Sequence, residues 1–220
     1  GKVYFELPVN LINKDMLIGS TVTSISDNGN AVVGSKPTDL LHVMFTRNKT
    51  HVQLRQVNTD YITGSTQIDE ALRKSTLGAI ISNQKIQAYN NDSTAIVFDM
   101  TGVFLSDNKK MSPFDRNSIY GMYNRTENYQ SDCSYISQIK AFKDNVSIKS
   151  CLSYTFSVSN SQGTSLIKDR PFTAEMTRSI MLLKEKPYRP RMADYRIGVF
   201  FTGREQLGEG IRRASCRERV

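Results

Sequence analysis

Short runs in which apolar and polar residues alternate dominate this chain and predict a protein built mainly of β-strands. Such alternation, bounded by turn-forming residues, is typical of strands that bury one face. The predicted strands are residues 2–7, 17–25, 41–45, 51–57, 79–89, 94–100, 135–142, 145–158 and 172–183. Residues 46–50 and 90–92 are polar and turn-forming, so each predicts a tight connection between two strands. Because few helices separate the strands, we expect mostly antiparallel sheet.

Three further stretches depart from strand patterning. Residues 101–105 predict a short helical turn, and residues 159–170 have turn chemistry around Gly163. Residues 106–134 are polar and irregular and predict a long loop or an insertion.

One helix is predicted near residues 67–77. Thr66 is a suitable N-cap, Ile68 and Leu72 are spaced for one apolar face, and Gly78 is placed to end the helix. The expected fold class is therefore α+β and β-dominated, with mostly antiparallel sheet and one clear helix.

The composition supports a folded globule and excludes two classes of protein. The chain has 220 residues, of which 39% are hydrophobic, and it carries a formal net charge of +8. No block of five or more like charges occurs, and no aromatic residues are interleaved with a basic face, so nucleic acid is not an expected partner. No apolar run approaches the roughly 20 residues of a membrane-spanning helix, so we expect no membrane span.

The inventory of chemically active residues is poor. The chain has only two histidines, His42 and His51, on the two arms of a predicted hairpin, and an H-E-x-x-H motif is absent. A catalytic zinc site needs three protein ligands. No G-x-S-x-G elbow, cysteine–histidine nucleophile pattern or phosphate-binding glycine loop occurs. We therefore predict no catalytic, cofactor-binding or metal-binding residue in this chain.

Two cysteines outside the C-terminal tail, Cys133 and Cys151, leave two interpretations open. In an exported protein they could form a disulfide, and two unpaired structural thiols are equally compatible with the sequence.

Several ordered segments resemble a known family. They are Val3-Tyr4-Phe5-Glu6-Leu7-Pro8 with residues 11–18, then residues 98–104, residues 139–146 and residues 187–201. Together they resemble the non-catalytic N-terminal domain, of unknown function, in secreted bacterial zinc-dependent metallopeptidases. Lys14 stands where that family usually carries arginine.

The resemblance implies a full-length exported enzyme, periplasmic, outer-membrane-associated or extracellular, with a metzincin-like catalytic domain downstream of this chain. The expected zinc would belong to that downstream domain, and no catalytic or zinc residue carries over to this chain. The expected partners are the catalytic domain itself and a protein or peptide substrate.

The last of these segments suggests an interdomain motif. Two prolines bracket Tyr188 and Arg189, and Arg191, Asp194 and Arg196 precede the apolar run 197–201, which contains Gly198. Arg191, Asp194, Arg196 and Gly198 are our candidates for residues that fix the angle of a following domain. A local ion pair in an exposed linker is the plainer interpretation of the same residues.

The final residues predict a boundary. We expect a single β-rich accessory domain over residues 1–203 and a tail over residues 204–220. Residues 211–220 closely resemble the translation of a common sequencing adapter, and we expect them to be artefactual. Their four arginines and one glutamate account for three of the eight net positive charges.

The sequence thus favours an accessory domain that positions the peptidase domain or its substrate. The alternative is a surface-exposed β module that binds peptide or glycan, since sheet edges and faces accept such ligands.

Overall fold

The computed structural model describes residues 1–58, 61–63, 74–184 and 205–207, with side chains described in the first and third of these ranges. Within them lie eleven strands: β1 (Tyr4–Pro8), β2 (Asp15–Ile25), β3 (Leu41–Arg47), β4 (His51–Gln56), β5 (Tyr61–Thr63), β6 (Ala79–Tyr89), β7 (Ala95–Asp99), β8 (Asn124–Ala141), β9 (Asn145–Ser159), β10 (Ser165–Leu182) and β11 (Glu205–Leu207). Helix α1 (Thr101–Phe104) and three 3-10 turns, Val9–Leu11, Lys109–Met111 and Tyr120–Met122, connect some of them.

Nine of these strands form one antiparallel sheet in the order β1-β7-β6-β4-β3-β2-β10-β9-β8. β5 and β11 form a separate parallel pair. The sheet curls strongly. Residues of β1 and of β8, at opposite ends of this order, are brought so close by the curl that they line one groove. The result is an incompletely closed, barrel-like layer with a concave inner face.

Alternation along the strands sorts the two faces. In β9, Leu152, Tyr154 and Phe156 are buried, whereas the small polar residues between them are half-buried. Burial of alternate large side chains supplies the main stabilising term of such a sheet. The inner face therefore holds the core.

The connection from β7 to β8 fills the inside of the curl. Val103, Phe104, Met111 and Phe114 of this connection are buried. The Phe104 ring stacks on Phe5 of β1 with centroids 6.1 Å apart. We call residues 100–123 the crossing connection.

A buried arginine ties the crossing connection to the sheet. Arg178 of β10 is 2% exposed and donates to the carbonyl oxygens of Phe104 (3.3 Å) and Met111 (3.1 Å) and to the Ser150 hydroxyl (2.6 Å). Desolvation lowers the pKa of Arg178 to about 10, so the side chain remains charged at neutral pH. These carbonyl oxygens would otherwise be buried without this donor.

A second, charged network fixes the same connection to β8. Lys109 contacts the carboxylates of Asp107 (2.9 Å) and Glu127 (2.8 Å), and Glu127 also accepts from Arg125 (2.9 Å). The Arg125 guanidinium lies over the Phe114 ring, 4.7 Å from its centroid. The crossing connection is thus held from two neighbouring regions of the sheet.

The structure confirms the β-dominated, antiparallel prediction. The predicted hairpin is β3–β4, the strands at 79–89 and 94–100 are β6 and β7, and the predicted helical turn is α1.

Two predictions about irregular structure are wrong in part. Residues 124–134 belong to the 18-residue strand β8, and residues 165–170 belong to β10. β8 lies at the edge of the sheet with both faces largely exposed, so its sequence lacks apolar alternation.

The helix predicted near residues 67–77 falls mainly outside the described residues. Within them, Lys74 and Ser75 are helical, and the longest helix is the four-residue α1. The fold class therefore stands as β-dominated, with little support for one clear helix. No helix among the described residues is long and apolar enough to cross a membrane.

Asp99 at the start of α1 provides a pH-dependent contribution to stability. Its carboxylate accepts from the Thr101 backbone N–H (2.8 Å), and the Thr101 hydroxyl, which also accepts from Val3 N (2.7 Å), lowers the pKa of Asp99. A lowered folded-state pKa adds stability above the ordinary aspartate pKa, and this stability is lost as the pH falls through the folded value.

We therefore expect Asp99→Asn to lose less stability than the unchanged chain between about pH 5 and about pH 2. Urea unfolding at both pH values measures the difference. Equal acid-induced losses in the two proteins would contradict this role for Asp99.

Candidate functional site

An apolar groove lies between the two ends of the curled sheet. We call it the edge groove and define it by residues from β1, β8, β9, β10 and the β8–β9 connection: Phe5, Leu7, Ile139, Phe142, Val146 and Leu182. Its volume is about 410 Å³. The buried Met16 and Phe45 also line it, so the groove opens directly from the core.

Strand register explains why apolar side chains meet there. Phe5 and Leu7 of β1 pair with the buried Phe98 and Ile96 of β7. Ile139 of β8 pairs with the buried Ile148 of β9. Directly paired residues project from the same face, so the inner face of the sheet continues into both walls of the groove.

Both walls are strand edges. Among the described strands, β1 has a neighbour only in β7, and β8 has a neighbour only in β9. The outer edge of such a strand presents backbone N–H and C=O groups that can pair with another extended chain. The edge groove therefore combines apolar side-chain contacts with backbone hydrogen-bonding groups.

Large apolar side chains at the groove are exposed. Tyr4 is 52% exposed, Ile139 48% and Phe142 61%. Clustered exposed apolar residues mark binding surfaces more often than scattered ones do. Charged residues of both signs, including Glu6 and Lys143, also line the groove.

Two of the segments noted for a family resemblance, residues 3–8 and 139–146, line this groove. Residues 3–8 line one wall, and the other wall is lined by Ile139 and by residues 141–146, which include the connection between β8 and β9. Phe98 and Phe104, from the segment 98–104, pack against Phe5. Segments separated by more than a hundred positions in sequence thus build one site.

The two histidines do not form a shared site. His42 Nε2 lies 3.0 Å from Asp15 Oδ1, beside a cavity of about 420 Å³, whereas His51 Nδ1 lies 2.8 Å from the Thr50 hydroxyl. They are at opposite ends of the β3–β4 hairpin. In the part of the chain that the structure describes, no cluster of three metal-ligating side chains occurs.

The sequence predicts that this chain holds no stoichiometric zinc when purified, because it contains only two histidines and no H-E-x-x-H motif. Elemental analysis after extensive dialysis measures the zinc content. One tightly held zinc ion per chain would contradict the expectation.

The Tyr154 phenol is buried inside the curl. Burial raises the pKa of Tyr154, and the nearby Asp107 carboxylate adds to this effect. The Tyr154 phenol is therefore neutral at physiological pH and cannot serve as a base there.

Both internal cysteines are free thiols, with Cys133 exposed and Cys151 buried. The candidate interdomain residues Arg191, Asp194, Arg196 and Gly198 lie outside the described residues, as do residues 211–220. The edge groove itself was not predicted from the sequence.

Comparison with known families finds a match for the chain. The model of the domain of unknown function DUF5117 matches residues 34–217. The chain belongs to this family. The DUF5117 match assigns no activity, and the domain boundary at residue 203 stays a prediction. No curated protein and no solved structure matches the chain significantly.

Proposed function

We propose that this DUF5117 domain is a non-catalytic accessory domain of an exported zinc-dependent metallopeptidase, and that its edge groove holds an extended peptide segment. The segment would belong to a substrate or to the catalytic domain, so that the domain positions one relative to the other. The observation that carries the proposal is the apolar groove between two strand edges that have no further partner among the described strands.

Two segments that resemble the peptidase-associated domain line the groove, and this supports a connection between the groove and the peptidase family. Residues 3–8 and 139–146 resemble that family and form the two walls of the groove. Segments that share a family pattern and build one surface are natural places for a shared binding role.

The chemistry of the groove favours peptide over glycan. Its centre is apolar, whereas the many hydroxyl groups of a glycan need polar partners. A peptide strand offers backbone N–H and C=O groups to the free edges of β1 or β8 and places alternate side chains on the apolar centre. Tyr4 and Phe142 provide large contact surfaces at the rim.

The proposed enzyme keeps its zinc and its catalytic residues in another domain. Export to the periplasm, the outer membrane or the cell exterior belongs to the same proposal. The described residues of this chain would contribute binding and positioning, with no group acting on the scissile bond.

A peptide pair tests binding through the strand edge. One labelled peptide alternates valine and threonine, and its control has the same side chains with N-methylated backbone amides. We expect the first peptide to bind saturably in fluorescence anisotropy. The affinity of the methylated peptide should be lower by a factor of about ten or more, since strand addition needs the amide N–H groups. Equal affinities would contradict pairing with the edge.

The peptidase assignment has its own test in the gene. We expect the sequence encoded after this domain to contain an H-E-x-x-H helix, whose two histidines bind zinc from one face. A different kind of domain in that position would contradict the assignment and leave the peptide-binding proposal standing.

A further inference from the structure

A large irregularity in β8 brings the two internal cysteines to one region of the sheet. Gln130 pairs with Ser153, and the next pair in the register is Tyr135 with Cys151. Residues 131–134 therefore form a bulge of four residues opposite the single residue Leu152, and Cys133 lies within it.

Hydrogen bonds hold the bulge against β9. The Ser153 hydroxyl donates to the carbonyl oxygen of Cys133 (3.0 Å), and Ser153 N donates to the Ser134 hydroxyl (3.0 Å). Ser153 is two residues from Cys151 and therefore on the same face of β9.

Cys151 lies opposite the C-terminal end of the bulge. Tyr135, two residues after Cys133, pairs directly with Cys151, so the two side chains project from the same face of the sheet. Cys133 is thus followed along the chain by Ser134, which hydrogen-bonds to Ser153, and by Tyr135, which pairs with Cys151.

We propose that Cys133 and Cys151 form a disulfide under oxidising conditions and that this bond fastens the β8 bulge to β9. The bulge residues lack ladder partners and are held to β9 through Ser153, so the bulge can shift about this contact to the separation that a disulfide requires. This inference is independent of the proposed peptide binding.

The reaction is thiol–disulfide exchange with a small disulfide such as oxidised glutathione. The exposed Cys133, as the thiolate, attacks the glutathione disulfide and releases one glutathione thiolate. Cys151 then loses its proton and attacks the mixed disulfide at the Cys133 sulfur, which releases the second glutathione. The two protein thiols are oxidised, and one glutathione disulfide is reduced to two thiols.

The test uses a Cys216→Ser background, so that the third cysteine cannot compete. After incubation with oxidised glutathione, we expect an intact mass lower by about 2 Da and a non-reduced peptide map that joins the Cys133 and Cys151 peptides. Two unmodified thiols, or a stable glutathione adduct on Cys133, would overturn the proposal.

The matched control carries Cys133→Ser in the same background. We expect oxidation to raise the unfolding midpoint of the parent by about 5 °C or more and to leave that of the control unchanged, because the bond closes a loop within the unfolded chain. An equal response of the two proteins would also overturn the proposal.

Discussion

Replacing Arg178 by alanine is expected to lower the free energy of unfolding by about 3 kcal/mol. The change removes a side chain that is 2% exposed and three hydrogen bonds that join β10 to the crossing connection and to β9. The buried carbonyl oxygens of Phe104 and Met111 lose this donor, and a cavity remains. Relief of the desolvated charge offsets part of this loss, so the net figure is smaller than the sum of the separate contributions.

Arg170→Ala is the matched control, because Arg170 lies on the same strand and is far more exposed, with a salt bridge of 3.2 Å to Asp27. We expect it to cost about 0.5 kcal/mol. Arg178→Met fills much of the space without a donor and should recover only the packing part of the loss. Urea unfolding measures all three variants. A loss for Arg178→Ala no larger than that for Arg170→Ala would contradict the anchoring role.

Replacing Ile139 by lysine is expected to weaken binding of the valine–threonine peptide about thirtyfold. Ile139 is half-exposed in the free protein, so the substitution should leave the fold intact. Bound peptide would remove its side chain from water, and placing an ammonium group there costs about 2 kcal/mol or more. Fluorescence anisotropy gives the affinities.

Leu166→Lys is the control for this variant. Leu166 of β10 is 52% exposed and pairs in the region of Val158 and Ser159, at the far end of β9 from the groove. We expect its affinity to equal that of the unchanged chain. Similar losses for both variants would show a general effect of added charge rather than contact in the groove.

The strands that bury one face were predictable, and those at the edge were less so. In the second half of β9, Leu152, Tyr154, Phe156 and Val158 are buried and alternate with small polar residues, a pattern that predicts a half-buried strand. β8 has water on much of both faces, so no alternation marks it over residues 124–134. The apolar pattern of a strand reflects how much of the strand is buried, and little of the edge strand β8 is buried.

The anchoring arginine left a weak signal. In β10 the buried positions are Phe172, Ala174, Met176, Arg178 and Ile180. A charged residue at a position where alternation predicts an apolar one indicates a buried partner. The partners themselves, on the crossing connection, are set by tertiary structure and could not be assigned from spacing.

The edge groove was beyond sequence reasoning for a related reason. Phe5 and Ile139 meet because the nine-stranded sheet curls, and curling depends on the summed twist of every strand pair. Sequence patterns gave the strands and their faces but no strand order. Residues 3–8 and 139–146 lie far apart in the sequence, and only the fold brings them to one groove.

The most direct test of the central claim is hydrogen–deuterium exchange of the whole chain with and without the valine–threonine peptide. The account predicts slower exchange on binding in β1 and in residues 136–146, with little change in β4 and in residues 165–170. Protection in neither wall of the edge groove, despite saturating peptide, would contradict it.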